Sequence, residues 1–347
     1  MFYKRALVTG GSGFFGGILE RRLIADGWSV LNVDLVADDF QHNNHAYVQG
    51  DIRNIDLLNT IFSENRFDCV FHCAAILAHA VNDKKFLWES NVDGTRNIAE
   101  SAVTYGVKQL VFTSSNCLWA KNFHRLIYED DTPDPVEIYG KSKFEGENVL
   151  LKLREKINSV IIRCPTIIDE GRLGLLGILF EFIDEGRKIW TVGGGHNVYQ
   201  FIYAQDLVDA CVKASGYPHA DVFNIGSDNV KPFRDVYKLV IKKAGTNSSV
   251  ATLPKKITLL IMKAAYILHL SPLGPYQYKM IAEDFVFDTS KIKNKLHWQP
   301  TLSNEEMLYK AYRYYRENIK EIKERKNVSA HRQTAKLGII RLLKWIS

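Results

Sequence analysis

Ala6-Leu7-Val8-Thr9-Gly10-Gly11-Ser12-Gly13-Phe14-Phe15-Gly16-Gly17-Ile18-Leu19-Glu20-Arg21-Arg22-Leu23 decides the fold of this 347-residue chain. The first four residues are a short apolar run, as a buried strand requires. From Gly17 onward the sequence has helical character. Between them, Gly10, Gly13 and Gly16 give G-x-x-G-x-x-G. Glycines let a backbone turn tightly and approach a ligand closely, and N–H groups at a helix start bind anions. Strand, glycine loop and helix in this order read as the pyrophosphate cradle of a dinucleotide fold. Gly10, Gly13, Phe14, Phe15 and Gly16 are the expected contacts. The next apolar run, Val30 to Asp34, ends in an acid 18 residues beyond Gly16. A carboxylate there accepts hydrogen bonds from a ribose 2′-OH and repels a 2′-phosphate, so Asp34 favours NAD over NADP.

Working outward, strands are expected at Asp68–His72, Gln109–Thr113 and Ser159–Arg163, with helices over Lys84–Tyr105 and Ile138–Arg154. This alternation specifies an α/β fold: a Rossmann-type, doubly wound parallel sheet with a smaller C-terminal substrate lobe. Ligands of such sheets lie beyond the carboxyl ends of the strands. The glycine loop, Asp34, Ala74, Ser115 and Pro165 all fall there. The expected division is 1–165 for the dinucleotide domain with the catalytic residues, 166–317 for a substrate lobe sharing part of the sheet, and 318–347 for a basic tail.

Tyr139 and Lys143 are four residues apart on one helix, which puts a phenol and an ammonium on one face. An adjacent positive charge favours phenolate, and a free phenol titrating near about 10 is otherwise a poor base at neutral pH. The pair is expected to exchange a proton with a substrate alcohol or ketone.

Composition narrows the alternatives. No apolar run approaches the roughly 20 residues that span a bilayer. An apolar strand beginning at residue 6 leaves no room for a signal peptide. Five cysteines, odd in number and without a C-x-x-C pair, point away from metal binding and disulfides and toward a reducing cytosol. The net charge of +6 sits wholly in residues 318–347, where eight Lys and Arg face two Glu. The body carries no basic stripe with interleaved aromatics, which argues against nucleic acid. Residues 330–347 mix cations, an apolar face and Trp345, so peripheral contact with anionic lipid and docking on protein are equally expected.

These motifs resemble the extended short-chain dehydrogenase/reductases, within them the NAD-dependent epimerase/dehydratase family, from about Arg5 to about Tyr315. The resemblance is carried by Thr9 to Gly16, Asp51-Ile52-Arg53, His72 to Ala75, Asn91 to Thr95, Thr113-Ser114-Ser115, and Tyr139 to Lys143. It implies NAD as coenzyme, with Asp51 and Ile52 near adenine and Ala74, Asn91, Ser114, Tyr139, Lys143 and Pro165 about the rest. It implies Ser115, Tyr139 and Lys143 as the catalytic set, a cytosolic homodimer, and substrate contacts from Ser115, Asn116, Thr166 and Arg172. Dehydratases of this kind carry Asp-Glu after the serine position, where this chain has Asn116-Cys117. The implied reaction is a sugar epimerisation through a transient ketone, with C4 the expected centre. Net alcohol oxidation of the 3β-hydroxysteroid dehydrogenase type is the alternative, and a non-catalytic NAD-binding protein is a third.

Two phosphate-holding arginines usual in the nucleotide-sugar members are replaced here, one by Tyr199-Gln200 and one by Tyr278-Lys279. Arg172, Arg187 and Lys279 are the candidate substitutes. A sugar on polyprenyl diphosphate, met at the inner face of a membrane, therefore stands beside a nucleotide-linked one.

Overall fold

The computed structural model describes residues 4–77, 83–268 and 274–324. The expected tail segment 330–347 lies outside the described residues. Strands β1 (Arg5–Thr9), β2 (Ser29–Asp34), β3 (His45–Gln49), β4 (Cys69–His72), β5 (Gln109–Ser115) and β6 (Asn158–Cys164) supply most of one parallel sheet. Then follow β7 (Thr166–Ile168), β8 (Lys188–Val192), β9 (Phe201–Tyr203), β10 (Asp221–Asn224) and β11 (Ser249–Leu253). The seven-stranded sheet runs β10-β6-β5-β4-β1-β2-β3, and β7·β9 and β8·β11 form two small parallel pairs. Because β1 pairs with both β2 and β4, the strand order reverses there and leaves a crevice at the carboxyl edge.

Strand composition explains the layering. Parallel strands covered on both faces read as unbroken apolar runs, and all seven residues of β5 are buried. Side chains alternate across each strand. Ala6 and Val8 join a core with Leu19, Trp28, Phe71 and Trp298, while Leu7 joins Phe62, Val70, Ile98 and Phe112 on the opposite face. A third core fills the C-terminal lobe around Trp119, Phe180, Tyr199, Phe285 and Tyr312. Strand β10, from the second half of the chain, extends the main sheet beside β6.

The helices are α1 (Phe14–Ala25), α2 (Ile55–Glu64), α3 (Lys84–Trp88), α4 (Gly94–Thr104), α5 (Ile138–Lys152), α6 (Leu175–Asp184) and α7 (Ala204–Ala214). They continue with α8 (Phe233–Ala244), α9 (Lys255–Ile267), α10 (Pro275–Met280), α11 (Ser290–Leu296), α12 (Asn304–Glu317) and α13 (Ile319–Glu324). The single helix expected over Lys84–Tyr105 is interrupted by a π-helical turn at Glu89–Asp93. Such turns insert a residue and redirect side chains. This one buries Asn91, and the Thr95 hydroxyl closes on the Asn91 carbonyl at 2.7 Å.

Beneath the glycine loop lies a buried ionisable cluster that the sequence did not announce. A Cβ on Gly11 would fall 1.8 Å from Glu20 Oε1, so only glycine fits above that carboxyl. His45 Nε2 stands 3.5 Å from Glu20 Oε2 and 3.4 Å from Asp38 Oδ2. Burial first, then the charge of Asp38, pushes the Glu20 carboxyl up to about 8, with Asp34 adding and Arg21 opposing. A carboxyl raised above its unfolded value favours folding fully below about 4.5 and loses that contribution as pH rises through about 8. Burial pulls His45 down, which gives the opposite slope only below its ordinary 6.5. From pH 7 to 9 the parent should therefore lose about 1.4 kcal/mol that Glu20→Gln does not. Thermal denaturation of both proteins from pH 7 to 9 reads this directly, and parallel curves would refute it.

Candidate active site

The crevice begins with the glycine loop. Gly10 has φ +78°, and a Cβ there would meet Ala74 N at 2.7 Å. A Cβ on Gly16 would lie 2.1 Å from the Gly10 carbonyl oxygen. The loop is thus pressed between α1 and the end of β4, as the spacing predicts. Helix α1 starts at Gly13 without a side-chain cap and without an acid in its first turn. A helix start left this way offers backbone N–H groups and a positive dipole end to an anion. Phe14 and Phe15 occupy that first turn. Asp34, at the end of β2, accepts hydrogen bonds from Ser12 N at 3.1 Å and Val36 N at 3.0 Å. Burial raises its carboxyl, and those N–H donors oppose the rise. A glycine cradle with no room for side chains, an uncapped helix start and an acid at the next strand end fit a dinucleotide.

Asp51 and Ile52 follow β3. The Asp51 carboxylate is held bidentately by Arg53 Nε and Nη2, at 3.0 and 2.7 Å to Oδ2. Arg53 in turn meets Glu89 at 2.9 Å and lies 4.5 Å over the Phe86 ring. Ile52 is buried against Gly94, where a Cβ would lie 2.7 Å from its side chain.

Asn91 works at one remove. Its amide donates to the Ile76 carbonyl and to Ser142 Oγ, both at 3.0 Å, and its carbonyl accepts from Ile76 N at 2.7 Å. Ser142 closes on the Tyr139 carbonyl at 2.8 Å. One buried amide thus fastens the loop after β4 to helix α5.

Ser115 ends β5. Its Oγ accepts from Cys117 N at 3.1 Å, which leaves its own proton to donate, and its hydroxyl stands near enough to the Tyr139 phenol to favour the ionised form. Gly140 permits this meeting, since a Cβ there would lie 2.2 Å from the Cys117 carbonyl oxygen. Lys143 is buried, its ammonium 3.8 Å from the centroid of the Phe112 ring, with no hydrogen bond to a described residue. Ser115 and Tyr139 meet at the end of β5, and Lys143 lies one turn further along α5 over Phe112; the electrostatics differ from expectation. Burial drives the Tyr139 phenol well above its ordinary value, against the pull of the Ser115 hydrogen bond and of Arg172. Burial also pulls Lys143 down to about 8. In this state lysine yields its proton before tyrosine does, because desolvation outweighs the spacing rule.

Ser114 turns the other way. Its hydroxyl donates to Glu147 Oε1, and Glu147 is held by Arg163 through contacts of 2.7 to 3.1 Å. Its side chain is therefore spent within the protein, and its carbonyl accepts from the Cys164 thiol at 3.2 Å.

Two of the predicted substrate contacts, Asn116 and Thr166, converge on a residue that the sequence marked only as a missing arginine. The hydroxyl of buried Tyr199 accepts from Asn116 Nδ2 at 2.7 Å, and lies 3.3 Å from Thr166 Oγ1 and 3.2 Å from the Tyr276 hydroxyl. Gln200 is equally committed, to the Ser227 carbonyl and the Phe287 N–H. Tyr278 is buried. At Arg172, Nη1 is buried without a hydrogen-bond partner among the described residues, and the guanidinium lies 5.9 Å from the Phe14 ring. Burial lowers Arg172 to about 10, and the Tyr139 phenol acts against that fall. Pro165 separates β6 from β7, between the Ser115 and Thr166 positions.

Comparison with known proteins places this geometry. The family described as "NAD dependent epimerase/dehydratase family" matches residues 6–226. An uncharacterized protein of Sinorhizobium fredii is 35% identical over 91% of this chain and 79% of its own length. An N-acetyl-α-D-glucosaminyl-diphospho-ditrans,octacis-undecaprenol 4-epimerase of Escherichia coli O157:H7 is 31% identical, over 58% of this chain and 60% of its own. The crystal structure of UDP-glucose 4-epimerase with UDP-glucose from Thermotoga maritima superposes with a TM-score of 0.75 at 25% identity, covering 91% of this chain and 99% of that one.

Proposed function

This chain belongs to the NAD-dependent epimerase/dehydratase family, and from that premise we propose that it inverts C4 of a hexose or N-acetylhexosamine carried on a diphosphate. The observation that carries the reading is the single proton-transfer pair at the end of β5. The Ser115 hydroxyl stands close enough to the Tyr139 phenol to pull it toward its ionised form. Behind them stand Asn116, whose amide is spent on Tyr199, and Cys117, whose thiol burial pushes up to about 11. Elimination of water needs an additional acid and base on the substrate. One hydroxyl pair is enough to remove a proton from a carbinol and return it to the same oxygen.

When bound, NAD supplies the oxidising and reducing equivalent at its nicotinamide. Tyr139 Oη takes the proton of the sugar hydroxyl and later gives it back. Ser115 donates a hydrogen bond to the same oxygen and steadies it through both steps. Lys143, poised near 8, favours the tyrosinate once the coenzyme stands beside it. Asn91 and Ser142 hold the helix that aims Tyr139.

The carrier we infer is polyprenyl diphosphate. Tyr199 fills the expected arginine position with a neutral, fully bonded hydroxyl, so no bidentate phosphate grip remains there. Arg172, with an unpaired buried N–H, is left to meet one phosphate. The undecaprenol-linked relative supports the same choice. Arg172→Met should raise KM at least tenfold, since one charge-assisted hydrogen bond contributes about 1.5–3 kcal/mol, and should lower kcat by a smaller factor, because the guanidinium also favours the Tyr139 phenolate. Arg172→Lys should recover little of it, because the guanidinium fork is what suits phosphate. The deciding assay offers UDP-N-acetylglucosamine and undecaprenyl-diphospho-N-acetylglucosamine in parallel, with C4 inversion read by NMR and absorbance at 340 nm. An epimerase turns over without net NADH, whereas NADH accumulating in step with product would establish a dehydrogenase. Inversion of the nucleotide sugar alone would overturn the lipid carrier.

A further inference from the structure

We propose that helix α9 is a docking surface for an anionic lipid bilayer. Its apolar residues recur at Ile257, Leu260, Ile261, Ala264, Ile267 and Leu268, the spacing of one helical stripe. In a helix of a water-soluble protein that stripe faces the core. Here it faces out: Ile257 is 60% exposed, Leu260 69%, Ile267 63% and Leu268 65%. The inward face is Thr258 and Ala265, buried, with Leu259 and Met262 half-buried beside them. The helix carries a second apolar stripe beyond the one it packs inward, and five large aliphatic side chains on that exposed stripe far exceed scattered surface apolarity.

Charge selects the occupant. Residues 255–267 contain Lys255, Lys256 and Lys263 and no acid. Lys256 and Lys263 are exposed along one edge of the apolar stripe, while Lys255 lies on the other face and pairs with Glu283 at 2.9 Å. Long lysine stems let the ammonium reach phosphate headgroups while the aliphatic face sinks beside acyl chains. A second protein surface would be met by an apolar face alone, but cations flanking the stripe match an anionic membrane. No helix among the described residues is long and apolar enough to cross a bilayer, so the contact is interfacial.

Position gives the surface a purpose. Helix α9 packs on α10. From α10, Tyr276 N donates to Glu137 Oε1 at 2.7 Å, at the start of α5, and its hydroxyl joins the Tyr199 network. The exposed stripe is therefore one helix removed from the wall of the candidate substrate site. A bilayer seated on it would present a lipid-anchored diphosphate sugar to that wall. The purpose rests on the carrier proposed above, and the surface itself rests on the helix.

Flotation of the full chain with vesicles of phosphatidylcholine and phosphatidylglycerol at 7:3, and with phosphatidylcholine alone, tests this. The parent should bind the anionic vesicles and bind the neutral ones at least tenfold less. Ile257→Ser, Leu260→Ser and Ile261→Ser together should cut binding to anionic vesicles at least tenfold with Tm unchanged, because none of the three is in the core. Undiminished binding in the triple variant would overturn the proposal. Loss only in a full-length variant with Lys336→Gln, Arg341→Gln and Lys344→Gln would overturn it in favour of the tail. A triple variant that turns a dimer into a monomer with vesicle binding unchanged would overturn it in favour of a second copy. Inversion of a water-soluble short-prenyl substrate is measured alongside; its failure counts against the reaction and leaves the surface standing.

Discussion

Tyr139→Phe is expected to lower kcat by about a thousandfold or more while the protein stays folded and still binds NAD. The substitution removes one oxygen and leaves the ring that packs at the start of α5. Positioned acid–base groups commonly contribute about 10²–10⁴ in rate. The upper part of that range applies because no other described side chain stands ready to replace the phenol. Ser115 already accepts the Cys117 N–H, and a serine hydroxyl is a far weaker acid. Lys143 lies over Phe112, and Asn116 is held by Tyr199. Circular dichroism and thermal denaturation should match the parent, and so should NAD affinity by fluorescence titration. The pH profile carries a second signature. In the coenzyme-free protein the phenol is driven up while Lys143 sits near 8. A Lys143→Met variant should then retain only activity that rises steeply into alkaline pH, where an unassisted phenol begins to ionise. Turnover of Tyr139→Phe within tenfold of the parent would remove this residue from the chemistry.

The elements of this site were legible in the sequence to different degrees, for physical reasons. The glycine loop was fully legible, since its constraint is local: Gly10 and Gly16 are excluded from bearing a Cβ by backbone within the same motif or at the adjoining strand end. Strand ends were legible because buried parallel strands write unbroken apolar runs. Tyr139 and Lys143 were found by helical spacing, yet the sign of the tyrosine's shift was not, because burial is set by the whole fold. Three features depend on side chains brought together from distant segments. Glu20, Asp38 and His45 come from a helix, a loop and a strand. Tyr199 gathers Asn116, Thr166 and Tyr276 across more than 150 residues. The Glu20 cluster had one available signal, a glutamate on the apolar face of a short helix. Helix α9 shows the converse case. Its apolar residues stand in the sequence, but apolarity alone does not say which side of a helix meets water.

Glu147→Leu is expected to cost about 3–5 kcal/mol of stability, the range for stripping one partner from a buried ion pair. Glu147 is fully buried and its partner Arg163 is 4% exposed. The arginine fork meets both carboxylate oxygens, and its remaining nitrogen Nη1 donates to the Glu129 carbonyl at 2.8 Å. With the carboxylate gone, the guanidinium would stay locked against the Trp119 ring, 5.1 Å away, with no counter-charge in reach. Ser114 would lose its acceptor as well. The penalty lies chiefly in the orphaned cation, so Glu147→Leu with Arg163→Met should recover most of the loss. Urea denaturation of the parent, both single variants and the double variant closes this cycle. A coupling near zero would mean that water reaches the arginine and screens it. Activity adds a further discriminating measurement. Glu147 lies on α5 two turns beyond Tyr139, and its partners Ser114 and Arg163 sit in the two strands whose ends frame the crevice. If the pair also fixes the register of that helix, the double variant should be stable yet slow, with kcat reduced and KM for the sugar unchanged. Full recovery of both stability and kcat would assign the pair to stability alone and leave the aim of Tyr139 to Asn91, Ser142 and Gly140.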